Sequence, residues 1–91
     1  MEISSDILAR YAADAALEVP GVAGLVDGRV PGRRSVRIDD GRFELHLAVE
    51  WGASIPEVAR TVQRSVREYL ARMADLQPEA IDVVVDEVVR P

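Results

Sequence analysis

Between positions 43 and 73 the spacing of apolar residues changes from a period of two to a period of three or four. This change predicts a strand that runs directly into a long helix. The apolar row of the strand is Phe43, Leu45, Leu47, Val49 and Trp51. The apolar stripe of the helix is Ile55, Val58, Ala59, Val62, Val66, Leu70 and Met73. Because each element has one apolar side and the link between them is short, we expect the two sides to pack on each other as two layers.

The link between strand and helix carries the signals of a helix start. Ser54 and Glu57 have the spacing of a capping box, in which the serine hydroxyl accepts a backbone N–H and the glutamate reaches back. Pro56 suits the first turn, where backbone amides have no helical partner. Gly52 indicates a backbone conformation that a side chain would hinder. If its φ angle is positive, we expect Gly52→Val to cost on the order of 1 to 3 kcal/mol.

The residues before position 35 predict a first helix, a short strand and a loop. Ser4 can cap the helix, and Pro20-Gly21 ends it. The strand is predicted over 22–26, and 27–34 is interpreted as a loop because glycine and proline break any period there. The buried stripe of the helix is predicted to be Leu8, Tyr11, Ala12, Ala15 and Val19.

The next two strands form a hairpin whose register follows from its turn. Asp40-Gly41 is typical of a two-residue type I′ turn, because both positions need a positive φ angle. Such a turn pairs Val36 with Leu45, Arg37 with Glu44, Ile38 with Phe43, and Asp39 with Arg42. This register is self-consistent, since the apolar side chains share one face while Arg37 and Glu44 meet on the other.

A last, valine-rich strand is predicted over 80–89. Ile81, Val83 and Val85 are expected on the core side, and Asp82, Val84 and Asp86 on the other side. Because Val88 and Val89 disturb the alternation, a bulge or a frayed end is predicted near Glu87.

Together these elements have the order α-β-β-β-α-β. We therefore predict an α+β fold of two layers, a four-stranded mixed sheet with both helices on one face, forming a single domain over residues 1–91. The order of the strands within the sheet stays open.

Composition and charge exclude several classes of protein. The 91-residue chain has a net charge of −5, so its overall field repels phosphate backbones and anionic lipid, and no nucleic-acid partner is expected. It has no cysteine, which excludes disulfides and thiolate chemistry. No apolar run approaches the roughly 20 residues of a spanning helix, so no direct membrane insertion is expected. The first residues lack the order of a signal peptide, which makes a cytoplasmic location the default expectation.

His46, the single histidine, is the first candidate for chemistry. It is predicted on the polar side of the central strand, where it is expected to be solvated or to face a partner. There its replacement by alanine is expected to change the stability by less than about 0.5 kcal/mol. A weak metal site with Glu44 and Glu50 is the alternative. Three residues in line do not converge on an ion, so we expect no metal and no cofactor. Because the sequence has no nucleophile elbow, no phosphate-binding glycine loop and no metal-ligand spacing, we expect no enzymatic activity.

Two surfaces are candidates for binding. A basic cluster could bind RNA as a small RNA-binding domain, although no aromatic residue for base stacking lies near it. This cluster consists of Arg29, Arg33, Arg34 and Arg37. The second candidate is the sheet face away from the helices, because nothing in the predicted fold covers it and open sheet faces favour self-association. This open face consists of Glu44, His46, Ala48, Glu50, Asp82, Val84 and Asp86.

Several of these residues also carry a family resemblance. The motifs are Glu18-Val19-Pro20-Gly21-Val22, Val49-Glu50-Trp51-Gly52-Ala53-Ser54-Ile55, and Val58-Ala59 followed by Val62-Gln63. In combination they resemble the alkaline shock protein family, also called bacterial envelope stress response proteins. The chain departs from the family pattern at Trp51, where tyrosine is usual, and at 74–76, where Thr-Gly-Leu is usual.

The resemblance implies a non-enzymatic role in cell-envelope homeostasis or stress response. It also implies a cytoplasmic protein that is held near the inner face of the membrane by a membrane-anchor partner. Self-assembly, or association with a related family member, is expected from the same resemblance. The resemblance implies no catalytic residue in this chain.

Overall fold

The computed structural model describes residues 2–27 and 34–90, and its elements follow the predicted order. They are α1 (Ser5–Leu17), β1 (Val22–Leu25), β2 (Val36–Asp39), β3 (Arg42–Glu50), α2 (Ile55–Ala74) and β4 (Ala80–Val89). The predicted order α-β-β-β-α-β is confirmed. Most of the predicted loop, residues 28–33, lies outside the described residues.

β3 is the central strand of a mixed sheet. β4 runs parallel to it and pairs along its whole length, from Arg42 to Glu50. β1 and β2 are both antiparallel to β3 and lie one after the other along its other edge. β2 pairs with the first half of β3, and β1 pairs with the second half. His46 lies where these two short strands meet: its backbone N–H donates to Ser35 O at 2.8 Å, and its carbonyl accepts from Val26 N at 2.9 Å. The predicted mixed sheet is confirmed, and the strand order is settled.

The β2–β3 hairpin has the predicted register at all four pairs. Its turn residues have the positive φ angles that a type I′ turn requires, 53° at Asp40 and 82° at Gly41.

Both helices pack on one face of the sheet, as predicted. The inward row of β3 is almost completely buried and consists of Phe43, Leu45, Leu47 and Val49. The helices cover it with Ala12, Ala15 and Ala16 of α1 and with Val58, Val62, Val66 and Leu70 of α2. Ser4 and Ser54 cap the two helices by accepting the N–H groups of Ile7 and Glu57. The small side chains of α1 allow that helix to lie close to the sheet.

Three residues predicted on the core side are instead exposed. Trp51 is 60% exposed because β3 ends at Glu50 and the chain turns away from the sheet there. Ile55 and Met73 are 41% and 45% exposed, because they occupy the first and last turns of α2 at the margins of the layer.

The turn between β3 and α2 gives a testable prediction. Gly52 has a φ of +92°, and a Cβ placed there would have no atom within 4 Å. Gly52→Val therefore strains the backbone without a clash, and we expect a loss of about 1 to 2 kcal/mol in the free energy of unfolding. Thermal melts against the parent measure it. A melting temperature equal to that of the parent would show that the turn relaxes around the new side chain.

Candidate interaction surface

The face of the sheet away from the helices is the candidate surface. Alternation along β3 places Glu44, His46, Ala48 and Glu50 on this open face, since their neighbours are buried beneath the helices. β4 contributes Asp82, Val84 and Asp86. In the described part of the chain, no helix or strand lies over this face. The open face is thus formed by the two longest strands of the sheet.

His46 is the centre of an ordered network on this face. Its Nδ1 lies 2.7 Å from Oδ2 of Asp86, and its Nε2 lies 3.1 Å from Oε2 of Glu44. His46 is only 7% exposed. The expectation that His46 is solvated is therefore wrong, because carboxylates from two strands enclose the imidazole. The alternative, that it faces a partner, stays a prediction.

A β-bulge in β4 brings Asp86 to His46. Leu47 pairs with Val85 but Ala48 pairs with Glu87, so Asp86 is the extra residue. Bulges re-aim side chains next to them, and here the re-aimed carboxylate meets the imidazole. The sequence-based prediction of a bulge or a frayed end near this position is confirmed as a bulge.

The hydrogen-bonding capacity of these groups limits the chemistry of the network. An ionised carboxylate only accepts hydrogen bonds, whereas a neutral imidazole has one donor nitrogen and one acceptor nitrogen. Both contacts can be hydrogen bonds from His46 only if the ring is an imidazolium that donates from both nitrogens to Asp86 and Glu44. Neither nitrogen then faces a substrate, so the arrangement fixes two strands rather than presenting a free general base.

Two ion pairs flank the network. Arg37 lies 3.8 Å from Glu44, as the hairpin register predicts, and Arg42 lies 3.6 Å from Asp82. Pairs as exposed as these contribute little stability each. Their effect is to give the open face a charged surface with a defined arrangement, while Ala48 at its centre is only 5% exposed.

The metal and RNA alternatives gain no support from the geometry. Within residues 2–27 and 34–90, no three His, Asp or Glu side chains are grouped so that they could hold a metal ion. In the basic cluster, Arg29 and Arg33 lie outside the described residues. Arg34 pairs with Asp6 at 2.8 Å, and Arg37 pairs with Glu44.

Sequence reasoning missed a second surface at one end of the sheet. Trp51, Val88 and Val89 are each more than two fifths exposed there, and the Arg90 guanidinium lies 4.2 Å from the centroid of the Trp51 ring. We call the group of Trp51, Val88, Val89 and Arg90 the end patch. Val89 pairs in register with Glu50 of the open face and Val88 with the inward-facing Val49, so the two valines lie on opposite faces of the sheet. The available signal was Gly52, whose turn conformation directly after Trp51 leaves that aromatic residue beyond the strand.

The fold and the open face define a two-layer α+β domain whose ordered polar groups lie on an open sheet. The chain belongs to the alkaline shock protein 23 family, described as having a cell envelope-related function, and the family pattern matches residues 33–90. The resemblance drawn from the sequence motifs is thereby confirmed. The chain is also similar to the uncharacterized protein YqhY of Bacillus subtilis (strain 168), with 33% identity over 97 residues that cover 91% of this chain and 72% of YqhY.

Solved structures of the MamM CTD have a similar fold. A copper form of it matches with a TM-score of 0.61 and 19% identity, covering 93% of this chain and 86% of that one. A variant of it matches with a TM-score of 0.57 and 17% identity, covering 94% and 99%. At such identities the likeness concerns the fold alone. None of the helices in the described residues combines the length and the apolar character needed to cross a membrane.

Proposed function

We propose that this domain is a non-enzymatic interaction module in cell-envelope homeostasis or stress response. It self-associates or binds a related family member, and a membrane-anchor protein recruits it from the cytoplasm to the inner face of the membrane. The cell envelope-related description of its family supports the setting of this role.

The observation that carries the proposal is the open face itself. Its polar groups are held by one contact within β3 and by two contacts between β3 and β4. A partner therefore meets an arrangement that is already ordered and loses less entropy on binding. His46, the buried polar residue among those described, has both ring nitrogens occupied by carboxylates. These features favour contact with a protein surface over the turnover of a small substrate.

Sedimentation velocity over a concentration series tests self-association. We expect the average mass to rise with concentration. Val84→Arg on the open face should suppress the rise, because it replaces an apolar side chain by a longer charged one that a close contact must accommodate. Met73→Arg is the matched control, since it exchanges an exposed apolar residue for arginine on the helix layer. A monomer at the highest concentration would refute homo-oligomerisation.

A pull-down with the immobilised domain tests the remaining part of the proposal. We expect a membrane-anchor protein to be retained from a membrane extract by the parent domain and lost with Val84→Arg. Equal retention by both would place the anchor contact elsewhere on the domain.

A further inference from the structure

β4 forms one edge of the sheet, and we call its side away from β3 the outer edge. Among residues 2–27 and 34–90, β4 pairs with β3 alone, so no strand lies along this outer edge. β4 has 10 residues, whereas β1 and β2 on the opposite side of the sheet have 4 each. A long edge strand offers a row of N–H and C=O groups to another extended segment, while short edge strands offer few. β4 is therefore the strand best able to accept a further strand.

The pairing with β3 determines which backbone groups of β4 point outward. The N–H and C=O of His46 bond toward β1 and β2, so those of its neighbours Leu45 and Leu47 point toward β4. In a parallel pair, the residue in register with such a position turns its own backbone groups to the other side. Val83 is in register with Leu45, and Val85 with Leu47. Each of these two valines therefore presents an N–H and a C=O at the outer edge.

Side chains of α2 cover only the beginning of the outer edge. Gln63 Nε2 donates to the carbonyl of Ile81 at 2.9 Å, which shows that outward groups of β4 lie within reach of a donor. Among the described residues, no hydrogen bond reaches the outward groups of Val83 or Val85. The outer edge is thus open from Val83 onward.

The side chains beside the outer edge are acidic on one face and apolar on the other. β4 carries Asp82, Asp86 and Glu87 and contains no basic residue. Asp82 is 53% exposed despite its ion pair, and Glu87 takes part in none of the ion pairs found among the described residues. Val83 and Val85 are only partly buried at the margin of the core. A strand added here would meet carboxylates on the open face and valines on the helix side.

The acidic residues argue against a second copy of β4 as the added strand. Two copies related by a twofold axis run antiparallel, and in the register where Val83 and Val85 bond only to each other, Asp82 of each copy lies opposite Asp86 of the other. Like charges directly opposite each other are destabilising. Charged residues on an edge strand commonly prevent pairing between identical edges. The same carboxylates favour a strand that carries positive charge.

We propose that the outer edge of β4 binds an extended segment of a partner protein in which basic residues alternate with apolar ones. The backbone of the segment bonds to Val83 and Val85, as in strand addition to other exposed sheet edges. Its lysine or arginine side chains lie near Asp82 and Glu87, and its apolar side chains cover the two valines. The inference rests on the proposed function as an interaction module and names the chemistry of the partner.

NMR of the isotope-labelled domain at low ionic strength tests the inference. The probe is a synthetic peptide of alternating lysine and valine, about six residues long, the usual length of a strand. With this peptide in excess, exchange of the Val83 and Val85 amide hydrogens with water should slow at least about tenfold, because each gains an acceptor. Two control peptides should leave both rates unchanged. One alternates glutamate with valine, and the other is the lysine–valine peptide methylated at every backbone nitrogen, which cannot donate to the edge.

Charge reversal on β4 locates the contact. Asp82→Lys/Glu87→Lys should raise the dissociation constant of the lysine–valine peptide at least about tenfold, since attraction becomes repulsion at two positions. It should also allow the glutamate–valine peptide to protect the two valine amides. Asp14→Lys/Glu18→Lys is the matched control, because it changes the net charge equally at exposed residues of the helix layer and should leave the constant unchanged. Circular dichroism checks that both variants are folded.

The outcomes separate this inference from the proposed function. Unchanged exchange at Val83 and Val85 with the lysine–valine peptide refutes the inference, and so does equal protection by either control peptide. Slower exchange at both valines with rising domain concentration and no peptide would assign the edge to a second copy, which refutes the inference while self-association stands. Association that responds to Val84→Arg stands in the same way if no peptide protects the edge. A strict monomer that the lysine–valine peptide protects would refute homo-oligomerisation alone.

Discussion

Gly21→Val is expected to lower the free energy of unfolding by about 3 to 5 kcal/mol, from backbone strain and overpacking together. Gly21 has a φ of +96°, and a Cβ there would lie 2.8 Å from Cγ2 of Val58 and 3.3 Å from Cβ of Ala53. The backbone has little freedom to move away, because the Gly21 carbonyl accepts the N–H of Glu50 at 2.8 Å. The loss is therefore larger than at Gly52, where a side chain meets open space.

Thermal melts of Gly21→Val and Gly24→Val measure this effect. Gly24 lies in β1 without a positive φ, and a Cβ there would have no neighbour within 4 Å, so it is the matched control. Each kcal/mol shifts the melting temperature of a domain of this size by roughly 4 to 8 °C. Gly21→Val should thus melt at least about 12 °C below the parent while Gly24→Val does not. Similar melting temperatures for the two variants would show that the Val58 side chain moves aside without a measurable loss of stability.

His46→Ala is expected to cost about 1 to 3 kcal/mol. It removes a buried ring and leaves the carboxylates of Glu44 and Asp86 facing each other without the donor that joins them. Because the two carboxylates are 34% and 36% exposed, water relieves part of the penalty. This estimate replaces the expectation below about 0.5 kcal/mol, which assumed a solvated histidine.

Arg42→Ala is the control for His46→Ala in urea unfolding. It breaks the Arg42–Asp82 pair, whose side chains are 60% and 53% exposed, and should change the stability by less than about 0.5 kcal/mol. If both variants lose the same free energy, the burial of His46 contributes nothing beyond an ordinary surface ion pair.

The local structure of this chain is predictable because local chemistry determines it. Asp40-Gly41 admits one tight turn, and that turn sets all four pairs of the hairpin. Ser54 begins α2 as its spacing to Glu57 predicts. The valines that interrupt the alternation of β4 indicated the bulge. In each case the controlling residues lie within a few positions of one another.

The contacts that define the candidate surfaces depend on distant residues. Asp86 lies 40 positions from His46 in the sequence, and only the parallel pairing of β3 with β4, together with the bulge, brings them to 2.7 Å. Periodicity assigned His46 to the polar side of its strand correctly. It could not reveal that a carboxylate from another strand would enclose the ring.

The end patch was missed for a related reason. Alternation extended the buried row of β3 to Trp51, but the row is covered only where helices lie over it. How much of the β3 row the helices bury depends on where α1 and α2 pack on the sheet. The spacing of residues along one element does not determine that position. The exposure of Ile55 and Met73 has the same origin.

The meeting of β1 and β2 at His46 has a consequence for how this domain can vary in length. Val26 and Ser35 are both tied to the backbone of His46, so the connection between them departs from and returns to one residue of the central strand. The entropy of closing such a connection changes by only about 0.6 kcal/mol when its length doubles. Insertions after Val26 should therefore leave the register of every strand intact, which makes this connection the natural place for a tag or a grafted peptide.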